Sequence, residues 1–209
     1  MKIVIFGATG MVGTELVKQA LYNGHSVKAF GRNVFTGNLP KDDKLELVQG
    51  ALFDAGQVRQ AIKDCDAVLS ALGGAINGTD VTRSLGMKNI VEQMQETGVN
   101  RIIGIGGLGI LNYNEIRLLM DQKDFPPVYL PVSIEHKKAL EYLQNSKLQW
   151  TFVCPPEIIN APATGVFHTK ADYPASPNNL RINVGDLALF MFKELQQDQY
   201  LQHRVGISN

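Results

Sequence analysis

The sequence predicts an α/β fold of the doubly wound type, a parallel sheet covered by helices on both faces and formed as a single domain over residues 1–209. Three observations predict it. Apolar runs of strand length alternate with longer stretches of helical period. A glycine-rich turn joins the first strand to the first helix, and no linker or internal repeat divides the chain. Strand, helix and strand in repetition require crossovers that return to the same sheet edge, which is the geometry of parallel pairing.

The strands are expected at Ile3–Phe6, Val27–Phe30, Leu45–Val48, Ala67–Ala71, Arg101–Ile105 and Leu148–Cys154. Helices fall at Val12–Tyr22, Gln57–Lys63, Val81–Glu96, Ile134–Asn145 and Asp186–Gln196. The first carries Val12, Leu16, Gln19 and Ala20 on one stripe, and Gly24 ends it. Beyond Pro155 the chain holds Pro156, Pro162, Pro174 and Pro177 and reads as a small loop-rich substrate cap built into the same domain.

Charge excludes some functions. Lys plus Arg equals Asp plus Glu at 20 each, so no global field draws the chain to nucleic acid or to an anionic membrane. The opening run Met1-Lys2-Ile3-Val4-Ile5-Phe6 is too short for a signal peptide or a membrane span, which leads us to expect a cytoplasmic chain. Cys65 and Cys154 stand far apart with no Cys or His at metal spacing. They are expected to be buried small hydrophobes rather than a disulfide or a zinc site.

The strongest chemical signal is Gly7-Ala8-Thr9-Gly10-Met11-Val12-Gly13, placed between the first strand and the first helix. A dinucleotide turn has to sit there. Gly7 permits the tight turn, Gly10 lets a diphosphate reach the backbone, and Gly13 allows close packing of helix on strand. The helix N-terminus adds free N–H donors and the positive end of its dipole. The second strand ends Lys28-Ala29-Phe30-Gly31-Arg32, without the acid that would bind a ribose 2′-hydroxyl. Arg32 offers a fork of donors for a 2′-phosphate, so NADP is the expected cofactor; a solvated surface arginine is the plain alternative.

Gly7-Ala8-Thr9-Gly10, Arg32, Ala71-Leu72-Gly73-Gly74 and Cys154-Pro155-Pro156 occur in that order, and together they resemble the atypical short-chain dehydrogenase/reductases. Within these the chain is most similar to the NAD(P)H-binding branch that holds biliverdin-IXβ reductase, also called flavin reductase, and next to the NmrA-like proteins. The resemblance implies a Rossmann fold. It also implies that Gly10, Met11 and Val12 border the diphosphate, Arg32 the 2′-phosphate, and Leu72 and Gly73 the adenosine ribose. Thr9, Leu52, Gly106 and Pro155 complete the expected cofactor site.

The chain departs from that family at several positions. An acid followed by an apolar residue often lies near adenine, and here Ala51-Leu52 supplies only the apolar half. Where a Ser is usual after the fifth strand, this chain reads Ile105-Gly106-Gly107-Leu108. The Tyr and Lys that short-chain dehydrogenases use to protonate a carbonyl oxygen align with Val132 and His136. Alcohol or ketone chemistry would lack its localised proton donor.

A flavin, a linear tetrapyrrole or a quinone-like ring spreads the charge that arrives with a hydride, so alignment alone can serve it. Gly106 and Gly107 would leave room for such a ring, or would simply pack a strand end. His136 shares a helix face with Ala139, Leu140 and Leu143 and is the titrating side chain expected near the ring, either delivering a proton or merely packed. Tyr113, Phe125 and Tyr129, and later Phe167, His168 and Tyr173, are either the walls for a small-molecule substrate or aromatics that pack the cap, and the sequence does not choose between the two. Two functions follow: an NADPH-dependent reductase of a flat conjugated acceptor, or an NADP-binding redox sensor that turns nothing over.

Overall fold

In the computed structural model, which describes residues 1–209, strands and helices alternate as the sequence pattern requires. Strand β1 (Lys2–Phe6) leads to helix α1 (Met11–Tyr22), β2 (Ser26–Gly31), β3 (Leu45–Gln49), α2 (Ala55–Ile62) and β4 (Ala67–Ser70). Then come α3 (Thr82–Thr97), β5 (Arg101–Ile105), α4 (Leu130–Gln144) and β6 (Gln149–Cys154). The last part holds β7 (Glu157–Ile159), β8 (His168–Ala171), β9 (Arg181–Asn183), α5 (Val184–Gln197) and β10 (His203–Ser208).

The central sheet runs β3-β2-β1-β4-β5-β6-β10-β8. Its first six strands are the expected ones and all pair in parallel, with Ile3 opposite Val27 on one side and Ala67 on the other. Chain order reverses between β1 and β4, and there the crossovers diverge. A crevice opens at that switch point, beyond the carboxyl ends of the strands. The architecture is the Rossmann fold.

Both faces of the sheet are covered, which is why its strands read as continuous apolar runs instead of alternating ones. Ile3, Ile5, Val27 and Ala29 pack against α1 and α5. Val4 and Phe6 point the other way, into a second core built with α2, α3 and α4. Cys65 and Cys154 are buried, as expected.

Local chemistry sets the helix ends. Gly24 adopts φ +80° just past α1, and Gly98 adopts φ +75° at the end of α3, a conformation other residues reach only with strain. The Asp54 carboxylate accepts a 2.9 Å hydrogen bond from the Gln57 N–H and starts α2. Helix α4 begins at Leu130 rather than at Ile134, because Pro131 lies in its first turn, where the missing N–H has no partner to lose.

The segment after Pro155 is more ordered than a loop-rich cap. Strands β7 and β9 pair in parallel as a separate ribbon, and β10 extends the central sheet beside β6. Strand β8 then pairs antiparallel with β10, so the sheet is not wholly parallel. Asp186 on α5 ties the segment down by accepting from the N–H groups of Thr164 and Gly165 at 2.9 and 2.8 Å and from the Asn209 side chain at 2.7 Å.

One buried ionic cluster joins the sheet to α5. Arg101 on β5 ion-pairs with Glu194 at 3.1 Å and with Asp198 at 2.7 Å, and it donates to the Thr151 hydroxyl at 3.0 Å. Removing Glu194 would leave the buried Arg101 with only the half-exposed Asp198 as a charge partner; breaking a buried pair typically costs about 3–5 kcal/mol, whereas replacing both members by apolar side chains is often neutral. We therefore expect Glu194→Ala to lower the urea-unfolding free energy by about 3 kcal/mol or more. Arg101→Met combined with Glu194→Met should recover part of that loss in the same measurement, the remainder reflecting the Gln199 and Tyr200 N–H groups that lose the Glu194 carboxylate as acceptor.

Candidate functional site

A single cleft of about 1410 Å³ lies beyond the carboxyl ends of the strands. That exceeds the roughly 300–1,000 Å³ usual for one small ligand. The cleft is lined by Gly7, Thr9, Gly10, Met11 and Val12 from the first turn, by Arg32 and Leu52, and by Leu72 and Gly73. Gly106, His136 and Pro155 line its other end. Of the expected cofactor and catalytic residues only Gly13 is absent from the lining.

The glycine turn explains that exception. Gly7 has φ +76°, and a Cβ on it would run into the Ala71 carbonyl; a Cβ on Gly13 would enter the backbone of Gly7. These two glycines let β1, α1 and the end of β4 approach backbone to backbone. Gly10 differs, because the only atom near its absent side chain is the Gly7 carbonyl oxygen at 3.3 Å. The Gly10 N–H donates to that same oxygen at 3.0 Å. Helix α1 has no side-chain cap and no acid in its first turn, so its leading N–H groups face the cleft uncompensated. An open backbone cradle at a positive helix end is what a diphosphate requires.

Arg32 stands at one end of the cleft, exposed and with no partner for its guanidinium, while its carbonyl accepts from the Gln49 side chain at 2.9 Å. Leu52 and Leu72 converge over Gly86 on α3, where a Cβ would collide with both, and Asn89 donates to the Leu52 carbonyl at 2.8 Å. They form an apolar wall beside Arg32. Sequence reasoning missed Gly86, because a glycine within a helix announces its role only through what packs on it.

The opposite end corrects several expectations. The space beside Gly106 is filled by Cys154 and Phe152, and that beside Gly107 by the His136 ring. These glycines admit protein side chains, not a substrate ring. His136 is 7% exposed, its Nδ1 has no hydrogen-bond partner, and its ring meets Phe152 edge-on at 6.4 Å. Desolvation, with a further push from the nearby Arg83 cation, lowers its pKa to about 3. His136 is thus a neutral imidazole at physiological pH, whose remaining ring N–H is too weak an acid to serve as a general acid.

Nor is His136 alone there. Arg83, on the first turn of α3, lines the same end of the cleft, and sequence reasoning missed it. Tyr113, Phe125 and Tyr129 line the cleft as expected. Phe167 instead packs on Phe190, His168 lies on the edge strand β8, and Tyr173 carries Lys170 over its ring. These three do not line it. The C-terminal strands act indirectly: Arg204 on β10 donates to the Ile110 carbonyl and to the Asn112 side chain, and so holds the loop that bears Tyr113.

The sequence profile of the NAD(P)H-binding family matches residues 7–198, from the glycine turn into the end of α5. The chain belongs to that family. A curated family relative, the uncharacterised protein YwnB of Bacillus subtilis, is 27% identical over 99% of this chain and 98% of its own. Among solved structures, a candidate exported protein of Burkholderia pseudomallei is 28% identical with a TM-score of 0.87, each chain fully covered. A candidate NADH-flavin reductase of Streptococcus pneumoniae superposes equally well, at 0.87 over 100% of this chain and 99% of its own, with 24% identity. The resemblance to atypical short-chain dehydrogenase/reductases agrees with this set. No helix is long and apolar enough to cross a membrane.

The two classes of glycine in the family's turn should separate experimentally. Gly10→Val should fold normally and lose nucleotide binding in a fluorescence titration, because its side chain would occupy the open cradle. Gly13→Val should instead fail to fold stably, by circular dichroism, because no space exists for it.

The buried imidazole makes a second prediction. The unfolded chain takes up a proton on His136 near pH 6.5, while the folded chain resists until about pH 3. The stability that depends on neutral His136 is therefore complete above pH 6.5 and falls as pH drops through that window, by about 1.4 kcal/mol per unit. In urea unfolding, wild type should lose about 2 kcal/mol more than His136→Gln between pH 6.5 and 5.0.

Proposed function

We propose that this chain is an NADPH-dependent reductase that passes a hydride to a flat, conjugated acceptor such as a flavin, a tetrapyrrole or a quinone-like ring. The observation that carries the reading is the single cleft. It joins the open glycine cradle and the unpaired Arg32 to a predominantly apolar chamber around His136, Phe125 and Tyr129, with volume beyond what one ligand needs.

Each end has a task. The N–H groups at the start of α1, with Gly10 drawn back, would hold the diphosphate, and Leu52 and Leu72 would flank the adenine. Arg32 would bind the 2′-phosphate through charge-assisted hydrogen bonds, which favours NADPH over NADH. Once bound, NADPH supplies the hydride, and the acceptor takes up a proton from water to complete its reduction. Val132 and the neutral His136 stand where the family's proton-donating pair would be, so the chain's own residues orient the acceptor without protonating it. A localised ketone oxyanion would find no acid here, which disfavours alcohol and ketone chemistry. We place the protein in the cytoplasm, where NADPH is available.

Two measurements test the reading. NADPH should bind more tightly than NADH by about tenfold to a hundredfold, and Arg32→Ala should erase most of the difference; equal binding by the unmutated chain removes Arg32 from the site. Steady-state NADPH oxidation against flavins, bilins and quinones should show turnover above background. Tight NADPH binding without turnover of any flat acceptor would identify a redox sensor instead.

A further inference from the structure

We infer that Arg83 makes the acceptor end of the cleft selective for a ring that carries an anionic group, a phosphate or a carboxylate on its tail. The inference rests on the reductase reading and names the acceptor's second recognition element.

Arg83 lines the cleft together with Val132 and His136. It is half-buried, and burial pulls its pKa down while Asp80 and Glu135 push it back up; a guanidinium in a protein stays cationic. Those two carboxylates are engaged elsewhere. Asp80 accepts from the N–H groups of Ala75 and Thr82 at 2.9 and 2.7 Å. Glu135 accepts from the Ser84 hydroxyl and from Lys138, the latter at 2.9 Å. Neither forms an ion pair with Arg83, whereas the buried Arg101 and the partly buried Arg204 each have a carboxylate partner.

The guanidinium is held in place by two backbone oxygens. Nη1 donates to the Ala75 carbonyl at 3.0 Å and Nη2 to the Gly74 carbonyl at 2.9 Å. Five N–H donors are available on arginine, so three remain for a ligand. A partly desolvated, pre-positioned cation with spare donors is an anion-recognition element, and its fork suits the two oxygens of a carboxylate or phosphate. The remaining charged linings, Asp124 and Glu157, are solvent-exposed and oppose an anion only weakly through water. Neutral His136 adds no competing charge.

Riboflavin and FMN share one ring and differ by a phosphate, which makes them the probe. Quenching of flavin fluorescence should show the NADP-loaded protein binding FMN at least about tenfold more tightly than riboflavin, and Arg83→Gln should bring the two together. NADPH affinity should change far less than FMN affinity in Arg83→Gln, whose amide N–H groups can still donate to the Gly74 or Ala75 carbonyl. In turnover the same variant should raise the KM for FMN, leaving its kcat and the riboflavin KM in place. A naphthoquinone with and without a carboxylate tells whether phosphate or carboxylate is preferred. Equal affinity for the charged and neutral member of both pairs overturns the inference, as does a preference that survives Arg83→Gln. A loss of NADPH binding in that variant as large as its loss of FMN binding would assign Arg83 to the cofactor and also overturn it. Because binding is read without catalysis, an anion preference in a chain that turns nothing over would uphold Arg83 while overturning the reductase reading.

Discussion

The backbone contact among Gly7, Gly13 and Ala71 constrains the rest of the molecule. A Cβ on Gly7 or on Gly13 would overlap main-chain atoms, so β1, the first turn of α1 and the end of β4 can meet only where side chains are missing. That meeting lies at the switch point of the sheet, where crossovers on either side lead away from each other. The cleft exists because the chain diverges there, and its floor is backbone because nothing else fits. Gly10, one turn away and facing outward, inherits an open surface from the same geometry.

The fold was legible wherever burial on both faces leaves a continuous apolar run, as in β1, β4 and β5. It was illegible where a strand owes its existence to a neighbour. Strand β8 reads His-Thr-Lys-Ala and alternates exposed with half-buried residues, and β10 starts His-Arg and contains a glycine. Neither has a period of its own that separates it from a loop, and the edge of an existing sheet supplies the pairing. Prolines on either side strengthened the appearance of a loop. Ser133 and Pro131 illustrate the same limit in α4, whose first turn is set by the preceding chain rather than by an apolar stripe.

The site divides in the same way. The cofactor end is local in sequence, for a tight turn, a free helix start and an arginine at a strand end can be read from adjacent residues. The adenine wall and the acceptor end are tertiary. Gly86 matters because Leu52 and Leu72 arrive over it from two different loops, and Arg83 matters because the segment from Gly73 to Asp80 folds back upon it. His136 was found by its helical face, but its protonation was not, since the apolar spacing that located it says nothing of how completely Phe152 and Gly107 seal it. The same burial that made it conspicuous removes the charge that would have made it an acid.

One segment serves both ends of the cleft. Gly73 lines it near Leu72, and within a few residues Gly74 and Ala75 are bound through their carbonyls to Arg83, while Asp80 holds the Ala75 N–H and the start of α3. The stretch is otherwise exposed and has little core of its own, so these polar bonds, not packing, fix its path. Any ligand group that draws on the Arg83 guanidinium competes with or reinforces the bonds that shape the wall around Gly73. The wall near the cofactor end and the guanidinium at the acceptor end are therefore both placed by one short loop, from Gly73 to Asp80.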